Sequence, residues 1–284
     1  MSPKDFRFLD RLRVRWAEVD MQRIVFNGHY LMYLDTAVGG YWRSLAMPYH
    51  ETMEMLGGDL YVRKATLEYL ASARYDERLQ VGIRCERIGN SSMRFVGCVF
   101  RGATPLVSSE LVYVFANPAT QTSQPVPPVL RSALEAFEAR EPMVSVRIGS
   151  WAELAPAAHP IRRTVFVEEQ GIAAEVESDA LDDRAMHAVA TNRFGAAVGA
   201  GRAVISEQNV ARIGRMAVLD SVRGAGVGSA VLSALVEACR ERGAHEVMLH
   251  AQADAVEFYA ARGFSPRGPV FQEAGIEHQE MVLG

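Results

Sequence analysis

The sequence predicts a two-domain protein of the α+β class, and three observations lead there. Its 284 residues exceed one typical domain. An apolar content of 49% beside 23% charged residues is ordinary for a globular chain with a sizeable core. The hydrophobic pattern also alternates between helical and strand repeats, with a breaker-rich stretch near the middle of the chain. A net charge of −4 supplies no basic field for nucleic acid or an anionic membrane, and neither is expected as a partner. Cys85, Cys98 and Cys239 are widely spaced, without a CxxC or Cys/His cluster, so no metal site or disulfide frame is assigned. The charged N-terminus lacks the apolar run of a signal peptide, no segment has the length of a membrane span, and the expected compartment is the cytoplasm.

Residues 12–16 alternate apolar and basic, the period of a half-buried strand. A polar turn leads through Asp20 and Arg23. From Tyr30 the spacing becomes helical, with Tyr30, Leu31, Leu34, Ala37, Val38, Tyr41, Trp42 and Leu45 on one face. Asn27 stands at the N-cap position and Gly28 bares the backbone at the helix start. After Pro48 the pattern predicts strands over 59–70, 79–88, 93–101 and 106–116, with turn residues at 89–91 and 102–105. This order predicts an antiparallel sheet wrapped around a long buried helix.

Two segments here, Val14-Arg-Trp-Ala-Glu-Val-Asp20 and Ile24-Val-Phe-Asn-Gly-His-Tyr-Leu31, resemble the 4-hydroxybenzoyl-CoA thioesterase and YbgC-like branch of the hotdog superfamily. Leu67-Glu-Tyr-Leu-Ala-Ser-Ala-Arg-Tyr75 and Arg87-Ile-Gly-Asn-Ser-Ser92 extend the resemblance, which covers roughly residues 8–138. It implies acyl-CoA hydrolysis, with Asp20 as the catalytic aspartate and the backbone N–H of Asn27 polarising the thioester carbonyl. It also implies a homo-oligomer, because the family builds its sites across a dimer interface. The chemistry agrees: a carboxylate can act as general base or nucleophile, and bared N–H groups at a helix start stabilise an oxyanion. An aspartate in such a stretch otherwise serves only to tie its own turn. The chain departs from the family at Arg23, where glycine is usual, and at His29, where asparagine is frequent. No G-x-S-x-G nucleophile elbow occurs.

Residues 117–128 are a breaker-rich loop, and 129–140 read as a helix opened by a proline pair. Glu141-Pro142 ends it, dividing the chain into domains 1–141 and 142–284 joined by a short linker. Strand patterns follow at 143–148, around Gly195 within 189–205, at 211–218 and at 246–252. Helices are predicted over 151–170, 229–242 and 255–261, and residues 263–264 and 271–281 complete a mixed sheet.

Between the strand ending at Val218 and the next helix lies Arg223-Gly-Ala-Gly-Val-Gly228. Gly224, Gly226 and Gly228 leave the N–H groups of Ala225, Gly226, Val227, Gly228 and Ser229 uncovered at the positive end of a helix. This is an anion site suited to a pyrophosphate, with Arg223 adding charge. Read alone, the loop serves equally well as a tight turn without a ligand. No Lys-Ser/Thr pair follows it, which argues against an ATP loop.

The loop and Glu257-Phe-Tyr-Ala-Ala-Arg-Gly-Phe264 together resemble the two signatures of the Gcn5-related N-acetyltransferases (GNAT). Val165-Phe-Val-Glu-Glu-Gln170, His250-Ala-Gln252 and Phe271-Gln-Glu-Ala-Gly-Ile-Glu-His278 look closer to the ElaA-like subgroup. The resemblance implies acetyl transfer from acetyl-CoA to an amine acceptor, the pantetheine arm held by the backbone of Met216 and Val218. It implies that Val227 to Ser229 hold the pyrophosphate and that Tyr259 protonates the departing thiolate. Glu169, His187 and His278 are candidate bases, unranked. The main expectation is a bifunctional enzyme; the alternative is an acetyltransferase whose hotdog half is an acyl-CoA sensor or dimerisation module.

Overall fold

The computed structural model describes residues 1–273 and 275–284 and divides into two compact units, Met1–Met143 and Val144–Gly284. Glu141 lies within the first by hydrogen bonding: its N–H donates to Ala136 O at 2.9 Å, and its carbonyl accepts from Arg7 at 2.9 Å.

The first unit runs β1 (Phe8–Arg13), α1 (Asn27–Ser44), α2 (Tyr49–Leu56), β2 (Asp59–Tyr69), β3 (Arg78–Ile88), β4 (Ser92–Arg101), β5 (Thr104–Ala116) and α3 (Pro128–Glu138). The strands form an antiparallel sheet in the order β1-β3-β4-β5-β2. The apolar stripe of α1 buries Tyr30, Tyr33, Leu34, Ala37, Val38, Tyr41 and Trp42. Tyr41 lies edge-on to Phe95 at 5.4 Å and to Phe137 at 5.0 Å, tying sheet, α1 and α3 together. Its hydroxyl donates at 2.6 Å to Glu138, which also accepts the Cys85 N–H at 2.8 Å. This is the hotdog arrangement.

Three details differ from the sequence reading. The opening strand is Phe8–Arg13 rather than 12–16, because beyond Arg13 the chain turns into a short 3-10 segment that leaves Trp16 exposed. The first helical residue is Asn27, and Phe26 holds the cap position; the Phe26 N–H is already spent on Glu18 O at 2.9 Å. Helix α2 has only eight residues, too few for its period to stand out among the strands.

The second unit runs β6 (Val144–Gly149), α4 (Trp151–Arg162), a π-helical continuation over Arg163–Glu169, α5 (Ala174–Glu177), β7 (Met186–Asn192), β8 (Ala197–Ile205) and β9 (Val210–Val218). It continues with α6 (Val227–Glu241), β10 (Glu246–Gln252), α7 (Val256–Ala260), β11 (Phe264–Pro266), β12 (Phe271–Glu273) and β13 (Ile276–Leu283). The stretch 271–281, expected to complete the mixed sheet, includes residue 274, which lies outside the described residues. The sheet order is β11-β13-β10-β9-β8-β7-β6, with β12 against β13; β9 and β10 run parallel and the other pairs antiparallel. Leu154, Ala158 and Ile161 of α4 pack with Val189, Ala200 and Ala217 on one sheet face. Helix α6 takes the other face, where a Cβ on Gly199 would stand 2.5 Å from Val227, so only glycine seats its first turn.

A charged cluster lies inside this unit. Arg162, 1% exposed, pairs with Glu177 and, at 2.8 Å, with Asp182. Arg202 reaches Asp179 and Asp182 at 2.7 Å each. Burial alone would raise the Asp182 carboxyl, but hydrogen bonds from Arg162 and Arg202 outweigh it and hold it down to about 2. Because its folded pKa is depressed, Asp182 contributes stability above its ordinary value and loses it as pH falls toward 2. Acid titration followed by near-UV circular dichroism should therefore show this unit losing about 2 kcal/mol between roughly pH 4 and pH 2, and Asp182→Asn should flatten that limb.

The thiols of Cys85, Cys98 and Cys239 are free and buried, and burial pushes them up to about 12, 11 and 11. Among the described residues no helix is long and apolar enough to cross a membrane.

Candidate functional site

In the first unit the loop from Arg15 to Phe26 is clamped onto α1 by Glu18. This carboxylate is 3% exposed and accepts from Tyr33 OH at 2.6 Å and from Arg15 N–H and Nε at 2.7 Å each. Burial would raise its pKa, but the Tyr33 and Arg15 hydrogen bonds outweigh that and lower it. The sequence singled out Asp20 and passed over Glu18, whose partner Tyr33 lies two helical turns into α1.

Val19 bridges to Val25, and between them Asp20 opens a tight turn. Its N–H donates to Ile24 O at 2.9 Å, its carbonyl accepts from Arg23 N–H at 2.9 Å, and its Oδ1 accepts from Gln22 N–H at 2.8 Å. Oδ1 thus ties the turn, while Oδ2 has no hydrogen-bond partner among the described residues. Arg23 sits at φ +60°, which explains why glycine suits this position: the requirement is a left-handed backbone. The N–H groups of Asn27 and Gly28 precede the first i→i−4 acceptor of α1, and Asn27 O accepts from Tyr69 OH at 3.1 Å. No hydrogen bond joins Asp20 to Asn27 among the described residues. His29 stands edge-on to Phe26 at 6.0 Å. Trp16, Met21, Phe26, Leu31, Tyr69 and Tyr75 leave large apolar surface exposed around this loop and helix start.

In the second unit the key feature is a parting of strands. The β9–β10 register ends at Ile213↔Leu249, yet β9 runs on to Val218 and β10 to Gln252. A bulge in the β8–β9 pairing, with Arg215 at φ +52°, turns β9 away. Arg215 fixes the bulge by donating to Glu177 O and Val176 O at 2.9 Å each. Met216 and Val218 lie on the parted segment, and Val218 O accepts from Arg223 Nε at 3.2 Å.

The glycine loop follows. Gly224 and Gly226 take φ +88° and +85°, where any other residue is strained, and Gly226 caps α6. Val227, Gly228 and Ser229 are the first three residues of α6, so their N–H groups have no helical acceptor. Ala225 departs from the expected set: its N–H closes the preceding turn on Val222 O at 3.2 Å. Arg223 is ion-paired. Its guanidinium is held in two-pronged contact by Glu169 at 2.6 and 2.7 Å and touches Asp220 at 3.2 Å. A second cation at the loop is Arg262, which the sequence reading did not single out. Its Nε donates to Ser229 Oγ at 2.9 Å, and its guanidinium lies 3.7 Å over the Phe258 ring. Beside it opens a cavity of about 520 Å³ lined by Leu232, Val236, Arg240 and Phe264.

The Phe258 ring lies 3.3 Å from where a Cβ on Gly228 would stand, so α7 packs on the start of α6. Tyr259 next to it is 8% exposed; burial pushes its hydroxyl up to about 12. Of the three base candidates, Glu169 is committed to Arg223. His187 is 1% exposed, packs at 4.7 Å against Trp151 and bonds Asp182 O at 2.9 Å, and burial lowers its pKa. His278 Nδ1 turns to Ile276 O at 2.8 Å.

Comparison with known proteins matches residues 156–284 to the acetyltransferase (GNAT) domain family and residues 22–108 to the thioesterase superfamily. An uncharacterized N-acetyltransferase of Bacillus subtilis (strain 168), YjcF, is 37% identical over 123 residues, 43% of this chain and 86% of its own length. The chain belongs to the GNAT family. Its first half carries a thioesterase-superfamily domain. The uncharacterized protein YyaT of the same organism is 34% identical over 43% of this chain and 83% of its own length. Among solved structures, a putative N-acetyltransferase from Lactobacillus plantarum aligns with a TM-score of 0.46 and 30% identity, covering 50% of this chain and 97% of its own. A thioesterase from Thermus thermophilus, solved with coenzyme A and zinc, aligns with a TM-score of 0.43 and 23% identity, covering 48% and 98%.

Proposed function

We propose that this GNAT-family chain is a bifunctional enzyme of CoA thioesters, with domains 1–141 and 142–284. The second domain transfers the acetyl group of acetyl-CoA to an amine; the first hydrolyses acyl-CoA. The observation that carries the reading is the parting of β9 from β10 directly before a glycine-capped helix start. An extended pantetheine arm can pair with the freed edge of β9 at Met216 and Val218, as a strand would. Its pyrophosphate then meets the N–H groups of Val227, Gly228 and Ser229 with Arg262 alongside. The neighbouring cavity, where Arg240 and Arg262 stand beside Glu237 and Glu241, leaves room for the adenosine end.

Tyr259 donates the proton that the departing thiolate needs. With the hydroxyl near 12 and an ordinary thiol near 8.5, that transfer is uphill by about 5 kcal/mol, so desolvation of the thiolate in the same cleft must narrow the gap. Tyr259→Phe should lower kcat for acetyl transfer about 10²-fold with acetyl-CoA affinity retained. Stopped-flow and binding measurements check both halves of that statement.

In the first domain Asp20 activates water or attacks through its free Oδ2, and the helix-start N–H groups of Asn27 and Gly28 receive the oxyanion. The exposed apolar surface around that site supports a homo-oligomer that covers it. The second reading, an acetyltransferase with a non-hydrolytic hotdog half, draws on the tie between Asp20 Oδ1 and its own turn. A free-thiol assay over acyl-CoAs of different chain length, in the absence of amine, separates the two.

A further inference from the structure

We propose that His250, oriented by Glu273, is the general base of the acetyl transfer, and that it deprotonates a primary ammonium lodged against Phe271. The inference rests on the acetyl-transfer reading above. His250 is the first residue of β10 beyond its last pairing with β9, so it stands at the lip of the parted strands. Arg212 pairs with Met248, and side chains two apart along a strand share a face, so Arg212, Met248, His250 and Gln252 face the same way. Gln252 exchanges amide hydrogen bonds with Gln170 at the end of the π-helical segment, at 3.2 and 3.4 Å. That face is therefore the α4 side of the sheet, opposite the anion cradle of α6. Donor and acceptor of the acetyl group then approach from opposite faces.

Two groups meet at Nδ1: Glu273 Oε2, which only accepts, at 2.7 Å, and Arg212 Nη2, which only donates, at 3.0 Å. We take the shorter, charge-assisted contact as the one that is made, which places the hydrogen on Nδ1. Arg212 Nη2, 3.0 Å from the same nitrogen, then donates to Glu273 Oε1 at 3.2 Å and holds the carboxylate in place. Nε2 keeps its lone pair. The charged and titratable groups around it are Arg212 from β9, Glu273 from β12, and His278 and Glu280 from β13. Glu280 Oε2 stands 3.8 Å from Nε2, while the same carboxylate is paired with Arg267. Phe271 lies edge-on to His250 at 4.8 Å, and His278 stacks on Phe271 at 6.1 Å. Phe271, partly exposed beside the imidazole, offers apolar contact to an aryl-alkyl group, while Glu273 and Glu280 are already paired with Arg212 and Arg267.

His250 Nε2 takes one proton from R–NH3⁺, leaving R–NH2. The nitrogen lone pair forms the bond to the acetyl carbonyl carbon, and the C–S bond breaks with its electron pair on sulfur. Tyr259 gives its proton to that thiolate, the second proton of the attacking nitrogen restores the tyrosine, and the His250 imidazolium releases its proton to solvent.

The test uses the full chain with acetyl-CoA and phenethylamine or benzylamine, comparing wild type with His250→Gln and Glu273→Gln. Amine-dependent thiol release should fall about 100-fold in His250→Gln and about tenfold in Glu273→Gln at pH 7.5, with the acetyl-CoA Kd within twofold of wild type. The His250→Gln deficit should shrink as the pH approaches the pKa of the free amine, which then needs no base. In ¹⁵N-histidine spectra of the wild type, His250 should carry its hydrogen on Nδ1, and Glu273→Gln should disturb that preference. A His250→Gln rate within threefold of wild type, or an Nε2–H tautomer, overturns the proposal whatever the turnover. Failure of the wild type to bind acetyl-CoA, measured separately by calorimetry, would instead overturn the acetyl-transfer reading on which the proposal stands.

Discussion

Asp20→Asn should lower acyl-CoA hydrolysis about 10³-fold while leaving the fold and its stability within about 0.5 kcal/mol of wild type. The substitution is chosen because Asp20 has two separable duties. Oδ1 accepts the Gln22 N–H that ties the turn, and an asparagine Oδ1 accepts it equally well. Oδ2 has no such duty, and the negative charge it shares is what activates water or attacks the thioester. Asp20→Ala removes both duties, so its loss of activity would mix chemistry with a loosened loop. Asparagine removes only the charge. The checks are steady-state thiol release over a panel of acyl-CoAs without amine, and thermal unfolding of both chains. Hydrolysis within threefold of wild type would favour the reading in which this half senses acyl-CoA or joins subunits. Equal loss of stability and activity would return Asp20 to a turn residue.

The positions of most strands were legible because period-two alternation is local, and so was α1, whose eighteen residues show a sustained apolar stripe. What the sequence hid is of two kinds. Short or irregular elements carry too few repeats to declare themselves, as with α2 and the π-helical segment over Arg163–Glu169. The other kind is pairing between distant residues. Arg223 beside three glycines reads as an anion ligand, and nothing in the sequence signals that Glu169, 54 positions earlier, holds both of its arms. Arg262, which also reaches the loop, sits 33 positions after Ser229 and shows in the sequence only as one basic residue in a short signature. Residues 174–184 carried no signal in the sequence, because the partners of Glu177 and Asp182 are Arg162 and Arg202, 15 and 20 positions away.

Those hidden pairings lead to the second large effect. Arg162→Ala should destabilise the second unit by about 3–5 kcal/mol, more than any surface substitution in the chain. Arg162 is 1% exposed, lies 4.9 Å over the Trp151 ring, and serves Glu177 and Asp182 together. Removing it leaves two carboxylates in the interior with much of their compensation gone. Protonating them to relieve the charge would itself cost stability at neutral pH, since Asp182 is held near 2 in the native protein. The damage should reach the proposed CoA site by a definite route. Arg162 Nη2 and Arg215 Nε donate to the same carbonyl, Glu177 O, at 2.8 and 2.9 Å, and Arg215 is the bulge residue that turns β9 from β10. Differential scanning calorimetry of the full chain should place the transition of this unit about 10 °C lower, with the transition of the first unit unmoved. At a temperature where the variant remains folded, its acetyl-CoA affinity should still be reduced, whereas Asp182→Asn, which keeps Arg162 seated on Glu177, should bind acetyl-CoA as the wild type does. Affinity preserved in Arg162→Ala would separate the ion cluster from the strand parting and leave it a matter of stability alone.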